Sequence, residues 1–183
     1  MNPVAAALSL YRPRNPAEAA DVSRVVALAT TVDDPWSNAL SLHVTASALI
    51  VHPSSARVLL RWHNRQQAWL QVGGHGEPGE CDPLAIALRE GREETGLTDL
   101  VPLRIELVHV VVVQVPAKGD DPAHEHADLR YVLATSSPEQ ARPEKPDAPL
   151  RWLSRSEALA ATSEDNVRES LARTYELLAE GTS

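Results

Sequence analysis

Residues 73–97 read GGHGEPGECDPLAIALREGREETGL, and the rest of the chain is best interpreted outward from them. Asp82 suits a helix N-cap and Pro83 a first helical position, so a helix is predicted over about 83–95. At roughly 100° per residue, Glu90, Glu93 and Glu94 fall within an arc of about 100° on one face. Leu84, Leu88, Gly91 and Thr95 take the opposite face. Like charges at i,i+4, such as Glu90 and Glu94, repel. A cation resolves that conflict, and hard divalent ions with oxygen-only ligands are the natural candidates. An ordinary solvated helix face is the competing reading of three glutamates taken alone.

The stretch resembles the signature of the Nudix hydrolases, G-x5-E-x7-R-E-U-x-E-E-x-G-U with U aliphatic. Gly74, Glu80, Arg89, Glu90, Glu93, Glu94, Gly96 and Leu97 fit it. Trp69-Leu70-Gln71-Val72-Gly73-Gly74 is similar to the W-x-x-P-G-G lead-in that many members show. Three features depart from the pattern. Eight residues rather than seven separate Glu80 from Arg89, Gly91 stands at an aliphatic position, and Val72 replaces a common proline. The extra residue is expected in the loop around Cys81, which leaves the register from Asp82 to Leu97 undisturbed. Gly91 costs about 1 kcal/mol against alanine inside a helix, and would let the helix approach a sheet closely.

The resemblance implies an α/β (α+β) sandwich, a mixed β-sheet between helices, over residues 41–183. Residues 1–40 would then be an N-terminal helical extension. It also implies a magnesium-dependent pyrophosphohydrolase, with manganese as a substitute ion. The substrate would be a small phosphorylated molecule, a nucleoside diphosphate linked to another moiety. Glu90, Glu93 and Glu94 would be the metal ligands, assisted by the Gly73 carbonyl. Arg89 would orient a glutamate by an ion pair, with Glu80 the favoured partner, and Gly74 and Gly96 would serve the backbone. The general base would be Glu93 within the box, or a later acidic residue, Glu144 or Glu125. Two other readings share the scaffold. A binding or regulatory protein without turnover usually loses box glutamates, which are kept here. An isopentenyl diphosphate isomerase uses a cysteine and a glutamate, whereas the single cysteine here lies in the box loop.

A second constellation is His124-Glu125-His126-Ala127-Asp128. In an extended chain, residues i, i+2 and i+4 share one side, so His124, His126 and Asp128 can point together. Nudix sequences whose box opens Gly-Gly-His look similar here, carrying H-x-H-x-D before a strand. By that likeness, His75 and this trio line the substrate cleft and contact phosphate or an additional ion. A polar strand start without a ligand is the plainer alternative. Trp69, close to the box, is the one tryptophan singled out for stacking on a base. Cys81 reads as an inert loop residue.

Composition narrows the class. A chain of 183 residues suits one domain with a terminal extension, and 43% hydrophobic content suffices for a core despite the lack of phenylalanine. The net charge of −8 argues against binding to a nucleic-acid backbone. One cysteine rules out an internal disulfide and a cysteine-based zinc framework. No apolar run reaches the ~18 residues of a spanning helix, and the N-terminus lacks the basic start of a secretory signal. No membrane association and a cytoplasmic location are therefore expected. The N-terminal helix is compatible with a homodimer or with closure over a cleft.

Along the chain, a helix is predicted over 15–30, started by Asn15, Pro16 and Glu18. Alternation from His43 to Ile50 and the run Arg57–Trp62 read as a hairpin around His52-Pro53-Ser54-Ser55. The glycines after Trp69 read as a loop. Leu103–Val115 reads as one long strand, Lys118–Glu125 as a loop, and Leu129–Thr135 as a strand. A short strand over Leu150–Leu153, a capping box at Ser154 and Glu157, and a final helix over 166–180 stopped by Gly181 complete the pattern.

Overall fold

The computed structural model describes residues 2–120 and 122–180. Its centre is a pair of long parallel strands, β1 (Leu42–His52) and β7 (His124–Ala134), matched from Leu42 opposite Glu125 to Val51 opposite Ala134. Antiparallel partners extend the sheet on both sides. β2 (Arg57–His63) and β4 (Val72–His75) share the outer edge of β1, while β3 (Ala68–Leu70) pairs with β2. β5 (Val101–Pro102) and β6 (His109–Val115) pair with β7, and β8 (Leu150–Leu153) pairs with β2. The result is an eight-stranded mixed sheet between helical layers, the architecture expected from the sequence.

The side-chain alternation of β1 and β7 assigns the layers. Val44, Ala46, Ala48 and Ile50, with Ala127, Leu129, Tyr131 and Leu133, build one core under α3 (Pro83–Thr95). α1 (Pro3–Ser9) and α2 (Pro16–Thr31) contribute Val4, Leu8, Val25 and Ala29 to that core. Leu49, Val51, Val132 and Ala134 point the other way, against α4 (Arg155–Ala161) and α5 (Asp165–Glu180).

α3 starts as predicted, with Asp82 accepting from the Leu84 N–H and Pro83 in the first turn. It ends at Gly96, whose φ of +68° is a left-handed cap. Gly91 is buried, and a Cβ there would lie 3.0 Å from Leu100 Cδ1 and 3.4 Å from Leu133 Cδ1. Its absence lets the helix sit close to the sheet. Ser154 and Glu157 form the expected reciprocal capping box of α4. The stop expected at Gly181 lies outside the described residues.

Several local expectations change. The glycines after Trp69 form strand β4, because Ala46 and Ser47 of β1 pair with Gly74 and Gly73. β7 begins at His124, five residues before the predicted Leu129, since parallel pairing with β1 orders its polar start. Leu103–Val115 is not one strand. The Leu103 and Val108 N–H groups bond to the Val132 and Arg130 carbonyls, so five residue steps on one side face two on the other. The intervening segment bulges out with Ile105 exposed, and regular pairing starts only at His109.

α1 has no counterpart in the predicted elements. Seven residues make a marginal helix alone. Here Asn2 caps the Val4 N–H, and Val4 and Leu8 are buried. Behind it, Glu18 takes bonds from Tyr11 and from Arg173 of α5, at 2.6 and 3.0 Å from the guanidinium. Burial alone would raise Glu18, but Arg173, Tyr11 and the Arg14 N–H together hold it down to about 2. Among the described residues, no helix is long and apolar enough to cross a membrane.

Candidate active site

α3 presents its glutamates to the strand edge where β4 follows β2 along β1. The Glu94 carboxylate accepts from the Gly73 N–H at 3.1 Å and faces Arg61 Nη1 of β2 at 3.1 Å. Burial pushes Glu94 up to about 7, against the pull of Arg61 and of the Gly73 N–H. Glu90 lies under Gly74, so close that a Cβ at 74 would sit 2.6 Å from its Oε1. Burial raises Glu90 as well, with Arg89 opposing. Gly73 has φ +151°, and a Cβ there would meet Ser47 Cβ at 2.3 Å. Gly74 is therefore required for β4 to approach Glu90, and Gly73 for β4 to lie against β1. Glu93, one turn along and exposed, completes the acidic patch.

Arg89 is the organising cation of this patch. Its Nε bonds both Glu80 oxygens at 3.0 and 3.2 Å, and Nη2 bonds Glu80 at 3.0 Å and the His75 carbonyl at 2.8 Å. Nη1 bonds Glu90 and Glu93, each at 2.9 Å. These bonds hold Glu80 below its usual carboxylate range. The extra residue before the helix leaves the pair intact, in a loop that turns at Gly79, φ +92°. The loop after β7 closes the far end of α3. The Arg142 and Glu144 N–H groups bond the Thr95 and Glu94 carbonyls, at 2.7 and 3.3 Å. Glu144 thus stands beside the cradle, its carboxylate 3.4 Å from Lys145 Nζ.

On the α5 face, a cleft of about 250 Å³ runs from Gly73 and Gly74 across the polar half of the sheet. Thr45, Ser47, Gln71, His75, His126, Asp128 and Arg130 are among its walls. His75, His126 and Asp128 lie together in this lining, whereas His124 is not part of it and sits 3.1 Å from His126, Nε2 to Nε2. The Asp128 carboxylate is committed to the protein. It accepts from Thr45 at 3.2 Å, Ser47 at 2.9 Å, Gln71 at 3.2 Å and Arg130 Nε at 2.7 Å. Arg130 in turn binds Asn166 and Ser170, tying the cleft floor to α5. Burial, with His75 and His43 nearby, pushes His126 down to about 3.

Other candidates fall elsewhere. Glu125 is held by Arg24 and Gln114, both at 2.5 Å, on the far side of β7. Trp69 packs edge-on to Trp62 under Arg151, and Cys81 is exposed in the box loop, outside the cleft. Sequence reasoning missed His43, Arg61, Gln71 and Arg130. A signal did exist. His43, Thr45 and Ser47 are polar alternates in a strand buried along nearly its whole length.

The NUDIX domain profile matches residues 41–175. The chain belongs to the NUDIX family. NUDIX hydrolases act on pyrophosphate bonds in nucleoside diphosphate derivatives, and this chain is a hydrolase of acid anhydrides in phosphorus-containing compounds. A NUDIX-family hydrolase from Clostridium perfringens is 25% identical, with 75% of this chain and 97% of that one aligned and a TM-score of 0.56. Two solved structures share the fold at 19% identity and TM-scores of 0.58. They are a C. elegans Ap4A hydrolase, covering 75% of this chain and 98% of its own, and the E. coli dihydroneopterin triphosphate pyrophosphohydrolase, covering 71% and 92%. No curated protein matches the sequence significantly.

Proposed function

We propose that this NUDIX hydrolase is magnesium-dependent, with manganese as a substitute, and cleaves a diphosphate linkage in a nucleoside diphosphate joined to another group. The supporting observation is the cradle itself. Two buried or half-buried carboxylates, Glu90 and Glu94, converge on a strand stripped of side chains at Gly73 and Gly74, with Glu93 at the rim. Burial raises both inner carboxylates, a cost that a hard cation with oxygen ligands offsets. Glu90, Glu93, Glu94 and the Gly73 carbonyl would hold it. When bound, such an ion supplies Lewis acidity to a diphosphate and to water, and neutralises developing charge.

The chain's own groups do the rest. Glu93, exposed and steadied by Arg89, would accept the proton of an attacking water, with Glu144 as the second candidate. Arg89 is a positioning residue that fixes Glu80, Glu90 and Glu93 relative to the β4 backbone. His75 and His126 wall the cleft in which the substrate lies, over a floor set by Asp128 and Arg130. A polyphosphate substrate, as the names of the Ap4A and dihydroneopterin triphosphate enzymes describe for those proteins, suits a cleft that begins at the cradle. A non-catalytic role gains nothing from an intact cradle, and an isomerase needs its cysteine in the cleft. The N-terminal forty residues extend this domain and brace α5 through Glu18 and Arg173.

The test is a phosphate-release screen over nucleotide sugars, dinucleotides and nucleoside triphosphates with magnesium or manganese. Glu93→Gln should lower kcat by about 10²–10⁴-fold, the scale of a lost general base. Turnover of no phosphorylated compound, or full activity in the variant, would refute the proposal.

A further inference from the structure

Four imidazoles meet where the polar ends of β1, β4 and β7 come together. His43 is opposite His126 in the parallel register, and His75 extends from β4 on the other side of β1. His43 Nε2 lies 3.0 Å from His75 Nε2, and His124 Nε2 lies 3.1 Å from His126 Nε2. The rings of His43 and His126 are 4.9 Å apart, as are those of His75 and His126. One nitrogen from each of His43, His75 and His126 falls within 4.8 Å of the others. Four histidines are a large share of the seven in the chain to find on one patch.

The orientation of two rings is set from outside the cluster. His43 Nδ1 is 3.0 Å from the Leu40 carbonyl, and His124 Nδ1 is 2.9 Å from the Pro122 carbonyl. A carbonyl only accepts, so each Nδ1 carries the proton. In the neutral ring, Nε2 is then left with its lone pair, and in both residues that atom points into the cluster. Metal-binding histidines are characteristically arranged this way, the outer N–H donated to a carbonyl so that the inner nitrogen is aimed and made more basic. His43 is 1% exposed, so its ring is held by packing as well.

We propose that His43, His75 and His126 bind a borderline divalent transition ion of the zinc class, separate from the carboxylate cradle on the opposite side of β4. The donor set selects the class. All-nitrogen imidazole sites suit zinc, cobalt, nickel or copper and are poor for magnesium, which takes oxygen. The spacing is compatible. Nitrogens about 2.0–2.1 Å from a tetrahedral zinc stand roughly 3.3 Å apart. The His43–His75 pair already approaches that separation, and small ring rotations bring in His126. The protons that bridge the Nε2 pairs in the metal-free protein move to the outer nitrogens of His75 and His126. His124, stacked on His43 at 5.3 Å, covers the rear of the site. His75 and His126 belong to the cleft wall, so the fourth position opens toward the substrate space, where water or a phosphate oxygen fits.

The experiment is a binding titration on the full chain, stripped with chelator, in excess magnesium so that the carboxylates of α3 are occupied. Zinc is followed by calorimetry and cobalt by its visible absorption. One equivalent is expected, with the bands of a four-coordinate site of three imidazoles and one oxygen. Removing an outer partner of a metal ligand costs about 10–100-fold in affinity, so removing a ligand should cost at least about 100-fold. His75→Ala tests this without touching the core, because His75 is exposed. His126→Ala tests the second strand. Absence of stoichiometric binding in the unaltered protein overturns the proposal, and so does binding in His75→Ala equal to that of the unaltered chain. Neither readout depends on hydrolysis, so the outcome is distinct from that of the magnesium-dependent reaction.

Discussion

Glu94→Gln should stabilise the metal-free protein above neutral pH. Glu94 is 8% exposed, and burial pushes it from the ordinary 4.5 to about 7 even with Arg61 at 3.1 Å. The unfolded chain therefore releases this proton near pH 4.5 and the folded chain near pH 7. Between those values the unfolded state binds fewer protons, so stability falls as pH rises and levels off above 7. At about 1.4 kcal/mol per pH unit, the ionised carboxylate costs the fold roughly 3 kcal/mol at pH 8. Glutamine resembles the protonated acid and can still accept from the Gly73 N–H. Arg61 loses its ion partner, but that attraction is already counted in the net value.

The assay is thermal unfolding of both proteins in chelator from pH 4.5 to 8.5. The difference between them cancels every other titrating group. It should be near zero at the acid end and grow to several degrees in favour of Glu94→Gln, given about 2–4 °C per kcal/mol for a chain of this size. Magnesium should then raise the melting temperature of the unaltered protein at pH 8 and leave the variant nearly unmoved. A pH-independent difference, or a variant less stable than its parent at pH 8 in chelator, would refute the account of the cradle as a site strained by its own charge.

Three further outcomes follow from named contacts. Arg89→Lys cannot reproduce a fork that reaches Glu80, Glu90, Glu93 and the His75 carbonyl, so turnover should fall by about 10–100-fold with a raised magnesium requirement. Steady-state kinetics against magnesium concentration checks it. Glu18→Gln breaks a buried pair with Arg173 and should cost about 3–5 kcal/mol in urea unfolding. The Glu18 contribution is present above pH 4.5 and is lost as pH falls toward its folded value of about 2, so the variant should lose less stability on acidification than the parent. Gly91→Ala sets about 1 kcal/mol of helix propensity against overpacking of about 1–3 kcal/mol. A Cβ 3.0 Å from Leu100 makes overpacking win, so the melting temperature should drop by a few degrees.

The box helix was legible because its signals are local. A cap at Asp82, a proline at 83 and a glycine at 96 each act within a turn, and the structure places the helix ends on them. Elements whose existence depends on distant partners were not. β4 is a strand because β1 is there to pair with its glycines, and the start of β7 is ordered by Leu42–Thr45 of β1. α1 exists only because Val4 and Leu8 find a core. The apolar run ending in Val110–Val113 suggested one long strand, yet hydrophobicity says nothing of the mismatch between the Leu103–Val108 and Val132–Arg130 spans.

The same distinction separates the two halves of the candidate site. The carboxylate cradle is written into one helix and two glycines, so a single stretch of sequence announces it. The histidine patch and the cleft floor are divided among residues 43–47, 71–75 and 124–130, and only strand pairing, parallel between β1 and β7 and antiparallel between β1 and β4, makes them neighbours. Within β1, the face toward α3 is apolar from Val44 to Ile50, whereas the opposite face is apolar at Leu49 and Val51 but polar at His43, Thr45 and Ser47. β7 repeats that division, with His126, Asp128 and Arg130 followed by Val132 and Ala134. Polar groups on a buried strand are costly unless paired or functional. Asp128 and Arg130 are paired with each other and with the groups around them, and the histidines are gathered at the rim. When two strands change from apolar to polar at the same level of one face, the boundary marks where the covering helix ends and a ligand space begins.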